Sequence, residues 1–308
     1  MLKRCALVLT LVSTVLFATQ AAHLGATSLP LTGAIVVIDP GHNGGNGADP
    51  AFIDHLVNAG GFWKACDTAG AATNSGYPEH VFTFAVAKLL QRDLRALGAR
   101  VVLTRPNDRG VGPCITERAA IANRLHATVA VSLHGDGGPP YGRGFEVIGP
   151  GLVVSSVSNT APILQASRHL ASDLRRALDH VRGLEPSTYL GVAGIGTRDD
   201  LGGLNRSAVP KVLIECLNLR NASDALLATS PTWRATLAQG LTAGIETFLL
   251  GLHRHGPSTT TQPTESTTTS TTTTTVPTTT TSLPQPGPTR CIRGPMTVFS
   301  MPQLRARV

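Results

Sequence analysis

The sequence predicts an α/β fold, a single domain with a central, mostly parallel, mixed sheet covered by helices on both faces. Three observations predict it. Short β-branched runs recur between residues 35 and 217, and amphipathic stretches of helical period separate them. At 42% hydrophobic and 15% charged residues the 308-residue chain can bury a core, and it matches neither a coiled coil nor a charge-driven disordered protein.

The elements follow in order. Residues 35–39, Ile-Val-Val-Ile-Asp, form a buried strand that Pro40-Gly41 turns out of the sheet. Residues 43–76 are rich in glycine, asparagine and alanine and lack periodicity, so they read as a long excursion, of the kind that is usually functional or mobile. A helix over 79–97 places Phe82, Val86, Leu89, Leu90, Leu94 and Leu97 on one face and Lys88, Arg92 and Arg95 on the other, and Gly98 ends it. Residues 100–104 and 128–133 are further buried strands, with a short helix over 117–125 between them. Residues 144–148 alternate like a strand nearer the edge. A helix over 161–180, a buried strand over 211–217 and a helix from Pro231, capped by Ser230, to about Leu252 complete the domain.

The two ends differ from this body. Lys3 and Arg4, an apolar run over 6–18 and the small residues Ala21 and Ala22 read as a secretory signal peptide over 1–22. The run is shorter than the roughly 20 apolar residues that span a bilayer, so no stable membrane anchor is expected once it is cleaved. Residues 23–255 are the expected catalytic domain, 256–289 a disordered linker rich in Thr, Pro and Ser, and 290–308 a basic tail. The formal charge of +7 divides accordingly. The signal carries two of these charges and residues 256–308 a net three, which leaves +2 on residues 23–255. The domain is near neutral, so no nucleic-acid partner is expected. Export implies an oxidising compartment. Sequence alone does not fix connectivity, but Cys66 and Cys114, both in loop-like segments, are the pair expected to form a disulfide. Cys216, inside a strand pattern, reads as a buried free thiol.

Ligands of open α/β sheets bind at the carboxyl ends of the strands. There the first strand presents His42, the third His134 and the last Glu215. Glu79, in the first turn of the first helix, joins the same rim if the excursion returns there. Two imidazoles and a carboxylate form a ligand set suited to zinc, which lowers the pKa of a water it binds to roughly 7. A second glutamate could take up that proton and pass it to a leaving amine, which is the chemistry of amide hydrolysis. Glu215 is the hardest of these residues to read as merely structural, because a carboxylate flanked by Val212, Leu213, Ile214, Cys216 and Leu217 is costly to bury. His80 points about 100° around the helix from Glu79 and is a weaker candidate.

Six motifs in order then resemble the zinc-dependent N-acetylmuramoyl-L-alanine amidases of the Amidase_3 type, especially secreted mycobacterial and actinobacterial members. They are Val-Val-Ile-Asp-Pro-Gly-His at 36–42, the helix-opening Glu79, Val-Val-Leu-Thr-Arg at 101–105, Glu-Arg-Ala-Ala-Ile-Ala-Asn at 117–123, Val-Ser-Leu-His at 131–134 and Val-Leu-Ile-Glu at 212–215. The resemblance implies that His42, Glu79 and His134 hold Zn²⁺ and that Glu215 is the catalytic base and acid. It implies cleavage between N-acetylmuramic acid and L-alanine in peptidoglycan or a muropeptide. The signal peptide sets the expected location, secreted to the periplasm or cell wall, and a monomer is expected. Arg105 and Arg118 match positions that look structural. The sequence departs from the family after Glu215, with Cys216-Leu217-Asn218, and after His134, with Gly135-Asp136. Two rival readings share these residues, a catalytically silent wall-binding protein and a zinc peptidase of other amides. The excursion over 43–76, lying between two expected ligands, is expected to cover the site in part.

Overall fold

The computed structural model describes residues 28–254, so the signal-like segment 1–22, the linker 256–289 and the tail 290–308 lie outside the described residues. The elements run β1 (Ile35–Pro40), α1 (Pro50–Ile53), β2 (Leu56–Asn58), β3 (Trp63–Ala65), α2 (Glu79–Ala96), β4 (Arg100–Leu103), α3 (Ile115–Arg124), β5 (Val129–Asp136), β6 (Glu146–Pro150), β7 (Val154–Ser155), β8 (Ser158–Asn159), α4 (Leu164–Leu178), β9 (Ile195–Arg198), α5 (Gly202–Asn205), β10 (Lys211–Asn218), α6 (Ala222–Thr229) and α7 (Pro231–Arg254).

Six strands form the sheet, in the order β4-β1-β5-β10-β6-β9. The first four are parallel to their neighbours, β6 runs antiparallel to β10, and β9 returns parallel to β6. β1, β5 and β10 lie side by side, so their carboxyl ends share one rim, and Glu215 stands in register with His134. The strand expected over 144–148 is β6, displaced by two residues, and its antiparallel direction makes the sheet mixed.

Side-chain alternation gives the sheet two unlike faces. Val36, Ile38, Val131, Leu133, Val212, Ile214 and Cys216 point to one face and are 0% exposed. Helices α2, α4 and α7 cover that face with Phe82, Val86, Leu90, Leu170, Leu174, Leu237 and Leu241 in a single core cluster. Each such fully buried leucine or phenylalanine contributes about 1.5–3 kcal/mol. The opposite face carries Val37, Asp39, Ala130, Ser132, His134, Lys211, Leu213 and Glu215. Its apolar cluster is small: Val37, Ala122, Ala127, Ala130 and Val209. Helix α3 and the one-turn α5 cover it only in part.

The excursion over 43–76 is more ordered than its composition suggests. It holds a 3-10 turn, α1 and the antiparallel hairpin β2–β3 before it returns to α2.

Candidate active site

Three side chains meet at the shared rim. His42 follows β1, His134 lies near the end of β5, and Glu79 is the first residue of α2. The excursion does return: the Ala71 carbonyl accepts from the Glu79 amide at 2.9 Å. The Glu79 carboxylate then stands between the rings. Its Oε2 is 3.2 Å from His42 Nε2, and its Oε1 is 2.9 Å from His134 Nδ1. Backbone amides steady both oxygens, Ala71 on Oε2 at 2.7 Å and Gly135 on Oε1 at 3.1 Å. The rings are 5.1 Å apart and nearly perpendicular.

Two glycines make room for this cluster. A Cβ on Gly41 would lie 2.4 Å from His134 Cε1, and one on Gly70 would lie 2.7 Å from His42 Cδ2 and 3.0 Å from Glu79 Oε2. Gly70 also has a φ of +82°, which other residues rarely adopt.

Behind the cluster, buried charges fix the orientation of the His42 ring. His42 Nδ1 lies 3.1 Å from Asp67 Oδ1 and 3.0 Å from the Thr68 carbonyl, the outer-side support typical of a metal-binding imidazole. Arg118 donates to Asp67 Oδ2 at 2.9 Å, to Asp39 Oδ1 at 2.9 Å, and to the carbonyls of Pro40 and His42. Arg105, 0% exposed, donates to the carbonyls of Pro40 and His80 and pairs with Asp108. Both arginines therefore brace the backbone that presents His42, and neither enters the ligand cluster. His80 pairs with Asp108 at 2.8 Å, away from the cluster.

The electrostatics favour a cation at this point. Burial alone would lower the His42 imidazolium, but the Glu79 charge and the Asp67 and Glu79 hydrogen bonds push it up to about 10. Burial would raise Glu79, and the two histidines hold it well below the usual carboxylate range. A proton and a metal ion compete for such a place, so binding a metal there releases protons. Among the described residues, His42, Glu79 and His134 offer one nitrogen or oxygen each, all within 4.8 Å of one another. This N₂O set, with its glycine-cleared space and supported imidazole, fits zinc.

Glu215 stands beside this set. It is half-buried, and its Oε2 atom is buried with no hydrogen-bond partner. Burial raises its pKa well above the ordinary value, and the negative charges of Glu79 and Asp136 add to the rise. Glu146 is its cross-strand partner on β6. The Tyr189 hydroxyl donates to Asp136.

A cavity of about 190 Å³ opens from His42 and His134 across the polar face of the sheet. Lys64, Ala65, Asp67 and Thr68 of the excursion border it, and Gly202–Leu204 of α5 close its far wall. The excursion is tied down by the Cys66–Cys114 disulfide that the cysteine positions predict. Cys216 is free and buried, also as expected. His55 lies against Cys114 on the far side of that bridge, outside the ligand cluster.

The sequence reading missed Asp39, Asp67 and Lys211. Asp67 had a signal, a carboxylate next to a bridging cysteine in a segment flanked by expected ligands. Lys211 had one too, as a cation opening an otherwise apolar strand.

Comparison with known proteins agrees with this geometry. The family model of N-acetylmuramoyl-L-alanine amidase, Amidase_3, matches residues 36–247. The chain is 40% identical over 225 residues to the N-acetylmuramoyl-L-alanine amidase Rv3717 of Mycobacterium tuberculosis, which covers 73% of this chain and 90% of that one. Crystal structures of the amidase Ami1 give the same picture. The Mycobacterium smegmatis enzyme matches at 41% identity and a TM-score of 0.66, over 71% of this chain and 98% of its own. The apo enzyme of Mycobacterium abscessus matches at 42% and 0.65, over 71% and 100%. With His42, Glu79, His134 and Glu215 of its motifs gathered on one rim of a shared fold, the chain belongs to the Amidase_3 family of N-acetylmuramoyl-L-alanine amidases.

Proposed function

We propose that this protein is a zinc-dependent peptidoglycan amidase that hydrolyses the amide between N-acetylmuramic acid and L-alanine. The observation that carries the reading is the placement of an unpartnered, raised-pKa Glu215 beside the converged His42, Glu79 and His134 in a chain of this family. The three residues would hold Zn²⁺. When bound, zinc supplies Lewis acidity toward the amide carbonyl and makes water easier to deprotonate.

The remaining steps fall to the chain. Glu215, with its pKa raised by burial and by the Glu79 and Asp136 charges, is a stronger base than an ordinary carboxylate. It accepts a proton from the attacking water as the C–O bond forms. It returns that proton to the amide nitrogen as the C–N bond breaks, giving the lactyl carboxylic acid and the amine of L-alanine. The second water proton then passes from the acid to the amine, and the products leave as carboxylate and ammonium. Asp67 and the Thr68 carbonyl keep the His42 ring turned toward Glu79.

The described residues include no helix long and apolar enough to cross a membrane. The disulfide supports the reading of an exported enzyme acting in the periplasm or cell wall. The organisation into a signal over 1–22, a catalytic domain over 23–255, a linker over 256–289 and a basic tail over 290–308, and action as a monomer, belong to the same proposal.

The test is metal content together with turnover of a muramoyl-peptide by the purified protein. The expected outcome is one zinc per chain, loss of turnover on chelation and its return with zinc. Full activity after exhaustive chelation would overturn the metal role. Cleavage of plain stem peptides in preference to muramoyl-peptides would favour a peptidase instead.

A further inference from the structure

The cavity beside the ligand cluster ends on a lysine that the proposed mechanism does not use. Lys211 opens β10, is 1% exposed, and lines the floor of the cavity. A buried ammonium needs partners for three donors. Among the described residues Lys211 Nζ has one, Asp39 Oδ2, at 3.4 Å.

That contact is the weakest of the four that Asp39 accepts. Thr104 at 2.7 Å and Arg118 at 2.9 Å hold Oδ1, and Ser132 at 2.8 Å holds Oδ2. Both Asp39 oxygens therefore have closer hydrogen-bond donors than the lysine, which meets Asp39 chiefly as a charge and leaves its remaining N–H groups for something else. The space in front of the ammonium is kept open by Gly203 of α5, whose absent Cβ would lie 3.6 Å from Nζ. Ile115, Leu204 and Leu213 give the walls an apolar lining.

We propose that this cavity is the subsite for the leaving peptide, in which Lys211 binds the α-carboxylate of the second residue of the stem. The proposal rests on the amidase reading above and specifies which substrate group that site selects. Length supports it. Lys211 Nζ meets Asp39, which stands in register with Ser132, one side-chain position before His134 on the same face. Two residues of strand span about 7 Å. A peptide leaving the scissile nitrogen covers about 3.3–3.6 Å per residue, so a carboxylate on its second residue also falls about 7 Å away. Size supports it as well. A cavity of about 190 Å³ floored by the sheet admits a branch of the substrate, whereas a continuing glycan strand must stay outside.

The test uses the full-length, zinc-loaded protein and two compounds, muramyl-L-alanyl-D-glutamate and muramyl-L-alanyl-D-isoglutamine. Both keep the γ-carboxylate of the second residue and differ only at its α-carbon, which bears a carboxylate in the first and a carboxamide in the second. A charge-assisted bond to Lys211 predicts a kcat/KM ratio of about tenfold or more in favour of the carboxylate. In Lys211→Met that ratio falls to about one. Gly203→Ala, whose new methyl makes only ordinary contacts, fills the space before the ammonium and lowers the ratio in the same direction while the lysine itself is kept. A wild-type ratio of one, or a ratio unchanged in both variants, overturns the subsite while leaving the amidase reading intact, because both compounds are still cleaved. Failure of the wild type to cleave either compound overturns the amidase reading instead. Calorimetry with L-alanyl-D-glutamate and L-alanyl-D-isoglutamine then decides the subsite alone, and equal affinities overturn it.

Discussion

The two faces of the central sheet come from the same strands and do different work. On β10, Val212, Ile214 and Cys216 enter the core under α2, α4 and α7. Lys211 and Leu213, one residue out of step, face the cavity, and Glu215 on the same face stands beside Glu79 and His42. On β1 and β5 the same alternation sets Val36, Ile38, Val131 and Leu133 against Asp39, Ser132 and His134. One face is sealed by three long helices, while the other has α3, a one-turn helix and a tied loop. The difference teaches that thin cover is what leaves space for a ligand, and that the thickly covered face carries the apolar burial that stabilises the fold.

Adjacent residues test this division most sharply. Glu215→Gln is expected to lower turnover by roughly 10³-fold while leaving stability unchanged or slightly higher, since it removes an unpartnered buried carboxylate. Ile214→Ala, its neighbour on the other face, should cost about 2–5 kcal/mol of stability and leave kcat of the folded protein near wild type. Denaturant melts and steady-state kinetics on both variants read the comparison, and a large loss of kcat in Ile214→Ala would break it.

Arg118 should behave as a hybrid, because it is buried on the thin side and holds two carboxylates. Arg118→Met is expected to cost about 3 kcal/mol or more by stranding Asp39 and Asp67. It should also weaken zinc retention against a chelator, since Asp67 positions His42. Removing the disulfide with a Cys66→Ser, Cys114→Ser double variant should cost about 2–4 kcal/mol, measured by urea unfolding. The loss should appear with little change in the packing of the thick face.

Acid titration gives the smallest effect. Burial would raise the Asp39 carboxyl, but Lys211, Arg118 and the Thr104 hydrogen bond override it and hold its pKa below the ordinary 3.8. A depressed carboxylate pKa adds stability above the unfolded value and loses it as the pH falls toward the folded one. Asp39→Asn should therefore flatten the fall in stability between about pH 4 and 2 by about 1–2 kcal/mol, followed by urea midpoints across that range.

The thick face was readable because burial imposes a strict period. The apolar face of α2 and the β-branched runs of β1, β5 and β10 follow from side-chain geometry alone. The convergence of His42, His134 and Glu215 was readable for a topological reason, since parallel neighbouring strands put their carboxyl ends together. What escaped reading was short or held by tertiary contacts. Strand β9 has four residues with two glycine or threonine positions, and α5 begins Gly-Gly. Neither carries a period. Asp39 and Lys211 come together from positions 172 residues apart, and no local pattern marks such a pair.

The bridge between Cys66 and Cys114 has a topological consequence for an enzyme exposed to proteases. It closes a ring of chain that contains Glu79, while His42 and His134 lie on the two arms that leave it. A single cut within residues 67–113 leaves every ligand-bearing piece covalently joined, so the nicked protein migrates as one species until it is reduced. A cut in the exposed hairpin, where Leu56 is 62% and Trp63 65% exposed, falls outside the ring and frees the segment that bears His42. Of two surface loops in the same excursion, only one can be nicked without parting the site.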